Sequence, residues 1–112
     1  MKESTLKEKI LGLVSKIPEN KVTYFGYIAG IVGSDARTVG WVLSGLNEAE
    51  MGQVPWYRVV AKTGFISALK LGPKGLRQKQ ILQEESYTLV GDSVDMGKHL
   101  WEGDVENGDL LF

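Results

Sequence analysis

The chain has 112 residues, 43% of them apolar and 24% charged, which is the size and make-up of one globular domain and excludes a second independent core. No apolar run reaches the ~18 residues of a membrane span, and the start MKESTLKEK lacks the apolar centre of a secretion signal, so an intracellular location is expected: cytoplasm or nucleoid, or nucleus in a eukaryote. Cysteine is absent and His99 is the single histidine, which removes disulfides, thiolate chemistry and most metal sites; no cofactor and no metal are expected, and His99 reads as a surface or satisfied residue. The net charge of −1 conceals a division: residues 1–79 hold twelve Lys/Arg against six Asp/Glu, while residues 80–112 hold Lys98 against eight acids. Within residues 51–79, Arg58, Lys62, Lys70, Lys74, Arg77 and Lys79 stand without one acid, a run open to two readings, a solvated face or a phosphate-binding surface.

Leu6, Ile10, Leu13, Val14 and Ile17 recur on one face and predict a first helix, opened by the capping box Thr5–Glu8 and closed by Pro18. A second short helix is predicted over Tyr24–Val32, with Thr23 as N-cap and Gly33 as its stop. Ser34 or Asp35 caps a third, from Ala36 to Leu46, whose inward stripe would be Ala36, Val39, Gly40, Leu43 and Leu46. That leaves Arg37 and Trp41, four residues apart, together on the outer face. Helix, glycine turn, helix is the outline of a helix-turn-helix, and a solvated tryptophan on its second helix asks for a partner. The bland alternative is a plain helical hairpin.

Residues 47–53 read as a loop and Val54–Ala61 as a strand, followed by the turn Lys62-Thr63-Gly64 into Phe65-Ile66. A loop with Gly72, Pro73 and Gly75 leads to a helix over Leu76–Glu85. Tyr87–Leu89 and Val94–Met96 then flank Gly91-Asp92-Ser93 as a small hairpin, and the last eight residues read as frayed. The sum is an α+β domain, mainly helical and winged-helix-like, with a helix-turn-helix and a few short strands; residues 1–112 are taken as one domain and as a monomer.

Several separate stretches, in order, are similar to one family. Lys21-Val22-Thr23, Gly26, Ile28-Ala29, Gly33, Ala36-Arg37 with Val39-Gly40, Val54-Pro55 with Arg58-Val59-Val60, Gly64, and Leu82 with Glu85 resemble the DNA-binding domain of the O6-alkylguanine-DNA alkyltransferases. After the proline those enzymes read Cys-His-Arg, whereas this chain reads Trp56-Tyr57-Arg58. Tryptophan in place of cysteine resembles the alkyltransferase-like proteins, which bind alkylated guanine and leave the alkyl group in place. Arg77-Gln78-Lys79, the Ser-Val-Asp stretch at 93–95 and Trp101 are similar to that subgroup as well.

Direct dealkylation needs a thiolate nucleophile and a base to assist it. Trp56 offers an indole N–H donor and Tyr57 a phenol of ordinary pKa near 10, neither suited to those tasks. The expectation is therefore a binding protein and no enzyme.

The resemblance implies a partner, double-stranded DNA carrying O6-alkylguanine, met in the minor groove by the third helix, with the damaged base flipped out and nucleotide excision repair proteins following. It also implies residue roles. Arg37 would fill the vacated space; Trp56, with Phe25, Tyr24, Tyr57, Ser67 and Leu69, would line the base pocket; Thr23, Ala36, Gly40, Trp41, Arg58, Lys70 and Lys74 would meet the DNA, Arg58 also holding the loop or strand in shape. Trp56 as a plain core aromatic and Arg37 as a plain surface arginine are the bland counterparts, and Trp41 and Trp101 also read as packing residues. The rival from another class is a sequence-specific helix-turn-helix regulator in the major groove, dimeric on a palindromic site.

Overall fold

The computed structural model describes residues 5–103. Helix α1, Leu6–Val14, begins with both halves of the capping box: Glu8 N donates to Thr5 Oγ1 at 3.1 Å, and Thr5 N to Glu8 Oε1 at 2.8 Å. It buries Ile10 and Val14, and Ile17 just beyond it. The chain then extends through β1, Thr23–Tyr24, before α2, Phe25–Val32. Gly33 ends α2 with φ 77°, a left-handed turn that glycine enters without steric cost, and its amide donates to Ala29 O at 3.0 Å. Asp35 opens α3, Ala36–Ser44, by accepting from Thr38 N at 2.8 Å, and that amide holds its carboxyl below the usual range.

Packed together, α2 and α3 form the helix-turn-helix. Val39 and Leu43 of α3 are buried, as is Leu46 beyond it, but Ala36 lies exposed, so the inward stripe starts one turn later than the spacing suggested. Thr23 is corrected as well. Parallel pairing with β2, Thr23 to Val59 and Tyr24 to Val60, holds it extended and fully buried, and Tyr24 stands at the N-cap of α2 without a side-chain bond.

Residues 47–53 are no loop. Asn47 and Glu50 form a second capping box and start α4, Glu48–Gln53. Nor is Val54–Ala61 a strand throughout: Pro55 leads into a 3-10 turn over Trp56–Arg58, and only Val59–Val60 form β2. A second 3-10 segment, Ser67–Leu71, precedes α5, Pro73–Glu84, which starts three residues before its expected beginning because Pro73 suits the first helical turn. Gly75 lets α5 lie directly on that segment, since a Cβ there would collide with the backbone of Ala68 and Leu69. The expected hairpin forms with shifted bounds, β3 (Leu89–Val90) antiparallel to β4 (Ser93–Val94), so Ser93 is in a strand and not the turn, and Met96, expected beside the turn, starts a short α6, Met96–His99. The frayed end expected over the last eight residues lies outside the described residues.

The architecture is α+β, mainly helical and winged-helix-like, with short strands at the edge. Two apolar clusters hold it. One joins α1, α2, α3 and α4 through Ile10, Val14, Ile28, Val39, Leu43 and Met51, with Trp56 and Val59 at its margin; the other gathers Val22, Val60, Ile66, Leu82, Tyr87 and Val94. No described helix is long and apolar enough to cross a membrane.

His99 is satisfied and buried: its Nε2 accepts from Thr88 N at 3.0 Å, which leaves the proton on Nδ1, 2.8 Å from Asn20 O. Beside it, 5.0 Å between ring centroids, Tyr87 donates to Lys21 O at 2.8 Å. Burial pushes the Tyr87 phenol up to about 12. A phenol that holds its proton more tightly in the native state adds stability that is complete below its unfolded pKa near 10 and is lost as pH rises through about 12. Between those pH values the native protein is expected to lose roughly 2 kcal/mol more in urea unfolding than Tyr87→Phe does. Parallel pH profiles for the two would contradict this placement.

Candidate nucleic-acid interface

A cavity of about 190 Å³ opens where α3, the 56–58 turn, the 67–71 segment and α5 meet. Helix α3 lines it with Arg37, Gly40, Trp41, Leu43 and Ser44; Phe25 comes from the first residue of α2, and Trp56 and Val59 from the turn and β2. Ser67, Ala68, Leu71, Lys74 and Gln78 complete it.

Trp56 answers both of its readings at once. Its side chain is 6% exposed and belongs to the larger apolar cluster, yet it forms part of the cavity lining. The turn explains this, because successive residues of a 3-10 turn point about 120° apart. Trp56 therefore faces inward while Tyr57 leaves the cavity and donates to Glu85 Oε2 at 2.9 Å, with the two rings edge to face at 5.9 Å.

Two anchors hold the turn. Arg58 Nη1 donates to Ile17 O at 2.9 Å and Nη2 meets Glu85 Oε1 at 3.4 Å. From the other side the buried Gln78 amide donates to Tyr57 O at 3.0 Å and Val59 O at 2.9 Å. Arg58 is thus a strut inside the fold, as its expected loop-holding role requires, while its expected contact with DNA is corrected: its side chain is only 11% exposed.

Of the six residues expected to line a base pocket, Trp56, Phe25 and Ser67 line this cavity. Tyr57, Tyr24 and Leu69 do not. Tyr24 is extended in β1 against the Tyr27 ring, 6.2 Å away, and Leu69 packs on the second apolar cluster. With three residues per turn, Ala68 and Leu71 share the face toward the cavity and Leu69 is turned from it.

Among the residues expected to meet DNA, Ala36 is exposed, and Arg37, Gly40 and Trp41 lie along the cavity's α3 side. Trp41 is 70% exposed with the Arg37 guanidinium 5.7 Å from its ring centre, so it does not pack inward. Trp101 does, edge to face with Tyr27. Thr23 is buried, its hydroxyl without a partner among the described residues, and so lies out of reach of a ligand.

The basic run over 51–79 is largely matched once folded. Arg77 meets Glu48 at 3.3 Å, Lys79 meets Asp92 at 2.7 Å and Arg58 meets Glu85. Lys74 donates to Leu43 O at 2.9 Å and Ser44 O at 3.0 Å, the last carbonyls of α3, so the free phosphate contact expected of it is corrected too. Burial pushes its ammonium below the usual lysine range. Lys70 is exposed beside the Phe65 ring, and Lys62 is exposed.

The profile of the family described as 6-O-methylguanine DNA methyltransferase, DNA binding domain, matches residues 5–87. The chain belongs to this family. A DNA base-flipping protein of Escherichia coli K12 is 37% identical over 103 residues, spanning 89% of this chain and 77% of that protein. Alkyltransferase-like protein 1 of Schizosaccharomyces pombe is 33% identical over 101 residues, spanning 84% of this chain and 92% of the other. A solved structure of S. pombe Atl1 in complex with damaged DNA containing O6-carboxymethylguanine superposes with a TM-score of 0.77 at 29% identity, covering 92% of this chain and all of that one. The chain is thus an alkyltransferase-like member of the family.

Gln78 is the residue that sequence reasoning undervalued. Its signal lay in the spacing Gly75, Gln78, Leu82, which marks the buried face of α5 and puts an amide there that must find partners. Replacing it by leucine strands the carbonyls of Tyr57 and Val59. Gln78→Leu is expected to cost about 3 kcal/mol in urea unfolding, and a loss under about 0.5 kcal/mol would show that the turn is held by other means.

Proposed function

We propose that this protein binds O6-alkylguanine in double-stranded DNA, flips the base into the cavity and leaves the alkyl group in place. The observation that carries the reading is the cavity itself: an apolar recess walled by Trp56 and bordered by the exposed pair Arg37 and Trp41 on the second helix of a helix-turn-helix. A flipped base needs an apolar wall to stack on, and the duplex needs something to fill the gap. Trp56 supplies the first and Arg37 the second.

In this reading α3 enters the minor groove, where the exposed Ala36 and the side-chain-free Gly40 permit close approach. The relatives named for base flipping and the Atl1 complex with damaged DNA support the binding mode. On the resemblance alone, the retained lesion then marks the site for nucleotide excision repair.

The chemistry of the turn argues against alkyl transfer. The chain has no thiol, and the indole of Trp56 has no lone pair to offer a carbon. Tyr57 is no substitute base, because burial and its bond to Glu85 raise its pKa. Glu85 itself is turned toward Tyr57 and Arg58, away from the cavity.

The test uses two duplexes that differ in one O6-methylguanine, with the DNA recovered afterwards and assayed for the methyl group. Preferential binding with the methyl retained is the expected result, and Arg37→Ala is expected to weaken lesion binding at least about ten-fold. Equal affinity for both duplexes would favour a sequence-specific regulator. Loss of the methyl group would overturn the non-enzymatic reading.

A further inference from the structure

We propose that Lys74 sets adduct specificity, making the cavity receptive to O6 adducts that end in a carboxylate or another strong hydrogen-bond acceptor. The inference rests on reading this cavity as the lesion pocket.

Its first support is the charge of the lining, which includes two cations, Arg37 and Lys74, and no carboxylate. The rest is mostly apolar, with Trp56, Leu43, Val59 and Leu71 among the walls. An unpaired carboxylate moved from water to such a place pays several kcal/mol, so a cavity of these walls alone would reject an acidic adduct.

Lys74 is held where it can prevent that. Its Nζ is fixed by Leu43 O and Ser44 O and lies 5.5 Å from the centre of the Trp56 ring. An ammonium carries three N–H donors, and two are spent on those carbonyls. No acceptor for the third is present among the described residues. The two carbonyls end α3 and offset the charge only in part, as neutral dipoles do, and Glu48, which also attracts it, is paired with Arg77. Burial already depresses the ammonium's affinity for its proton, and an incoming carboxylate would reverse that pull. Arg37 cannot take over this task in the proposed complex, since there it occupies the gap in the duplex. The cation that stays behind is Lys74.

The experiment measures binding of the full chain, at one fixed salt concentration, to three duplexes of one sequence carrying guanine, O6-ethylguanine or O6-carboxymethylguanine. Wild type is compared with Lys74→Met, which keeps the stem without the charge, and Lys74→Arg, which keeps the charge. Wild type is expected to bind the carboxymethyl duplex at least as tightly as the ethyl duplex. Lys74→Met is expected to lose about ten-fold on carboxymethyl relative to ethyl, and Lys74→Arg to keep the wild-type ratio.

A uniform loss on both modified duplexes, with the ratio unchanged, would mean that Lys74 merely secures the end of α3, and would overturn the proposal. So would wild type binding the carboxymethyl duplex about ten-fold more weakly than the ethyl duplex, a result that stands even if Lys74→Met fails to fold. Equal binding of all three duplexes by wild type would overturn the lesion-pocket reading, and this inference with it.

Discussion

The site depends on how one turn is held. Between Pro55 and Val59 the backbone is clamped from two sides, by Arg58 reaching Ile17 O and by the Gln78 amide bonding Tyr57 O and Val59 O. A 3-10 turn fixed at both ends leaves its first side chain little freedom, and that side chain is Trp56. Its ring becomes a shared wall, with the apolar cluster on one side and the cavity on the other. Core packing and cavity wall are thus one interaction, so burial in the core does not remove Trp56 from the cavity.

The second organising feature is electrostatic. A stretch of six cations without an acid looks, in the linear chain, like a surface waiting for phosphates. Folding brings acids from distant segments to three of them: Glu85 to Arg58, Glu48 to Arg77 and Asp92 to Lys79. The pair Arg77–Glu48 is well exposed and weakly held, so DNA can compete for it at small cost. Lys74 is different, because its partners are backbone carbonyls at the end of α3 and its position follows that helix.

Much of the fold was legible because local signals agreed with the tertiary structure. The Thr5–Glu8 capping box and the Gly33 turn act over a few residues and survive unchanged, Asp35 is the one of two candidate caps that opens α3, and the hairpin turn narrows to Gly91-Asp92. The misreadings occurred where long-range pairing decides. Thr23 is drawn into a parallel bridge with Val59, a partner that no local pattern reveals. Leu69 and Tyr57 were expected in the pocket from the resemblance, and 3-10 turns with a period of three direct them elsewhere. The Asn47–Glu50 box, by contrast, is a local signal that outweighs the loop reading of residues 47–53. The cavity's α3 side could be foreseen from helical spacing, while its floor from Ala68, Leu71 and Gln78 needed the packing of α5 on the 67–71 segment that Gly75 permits.

The most direct measurement is the crystal structure of this protein bound to a duplex with a single O6-methylguanine. The account predicts an extrahelical guanine within about 4 Å of the Trp56 ring, its methyl group intact, and the Arg37 side chain in the base stack. A guanine still paired inside the helix, with the cavity beside Trp56 closed off from the DNA, would contradict it.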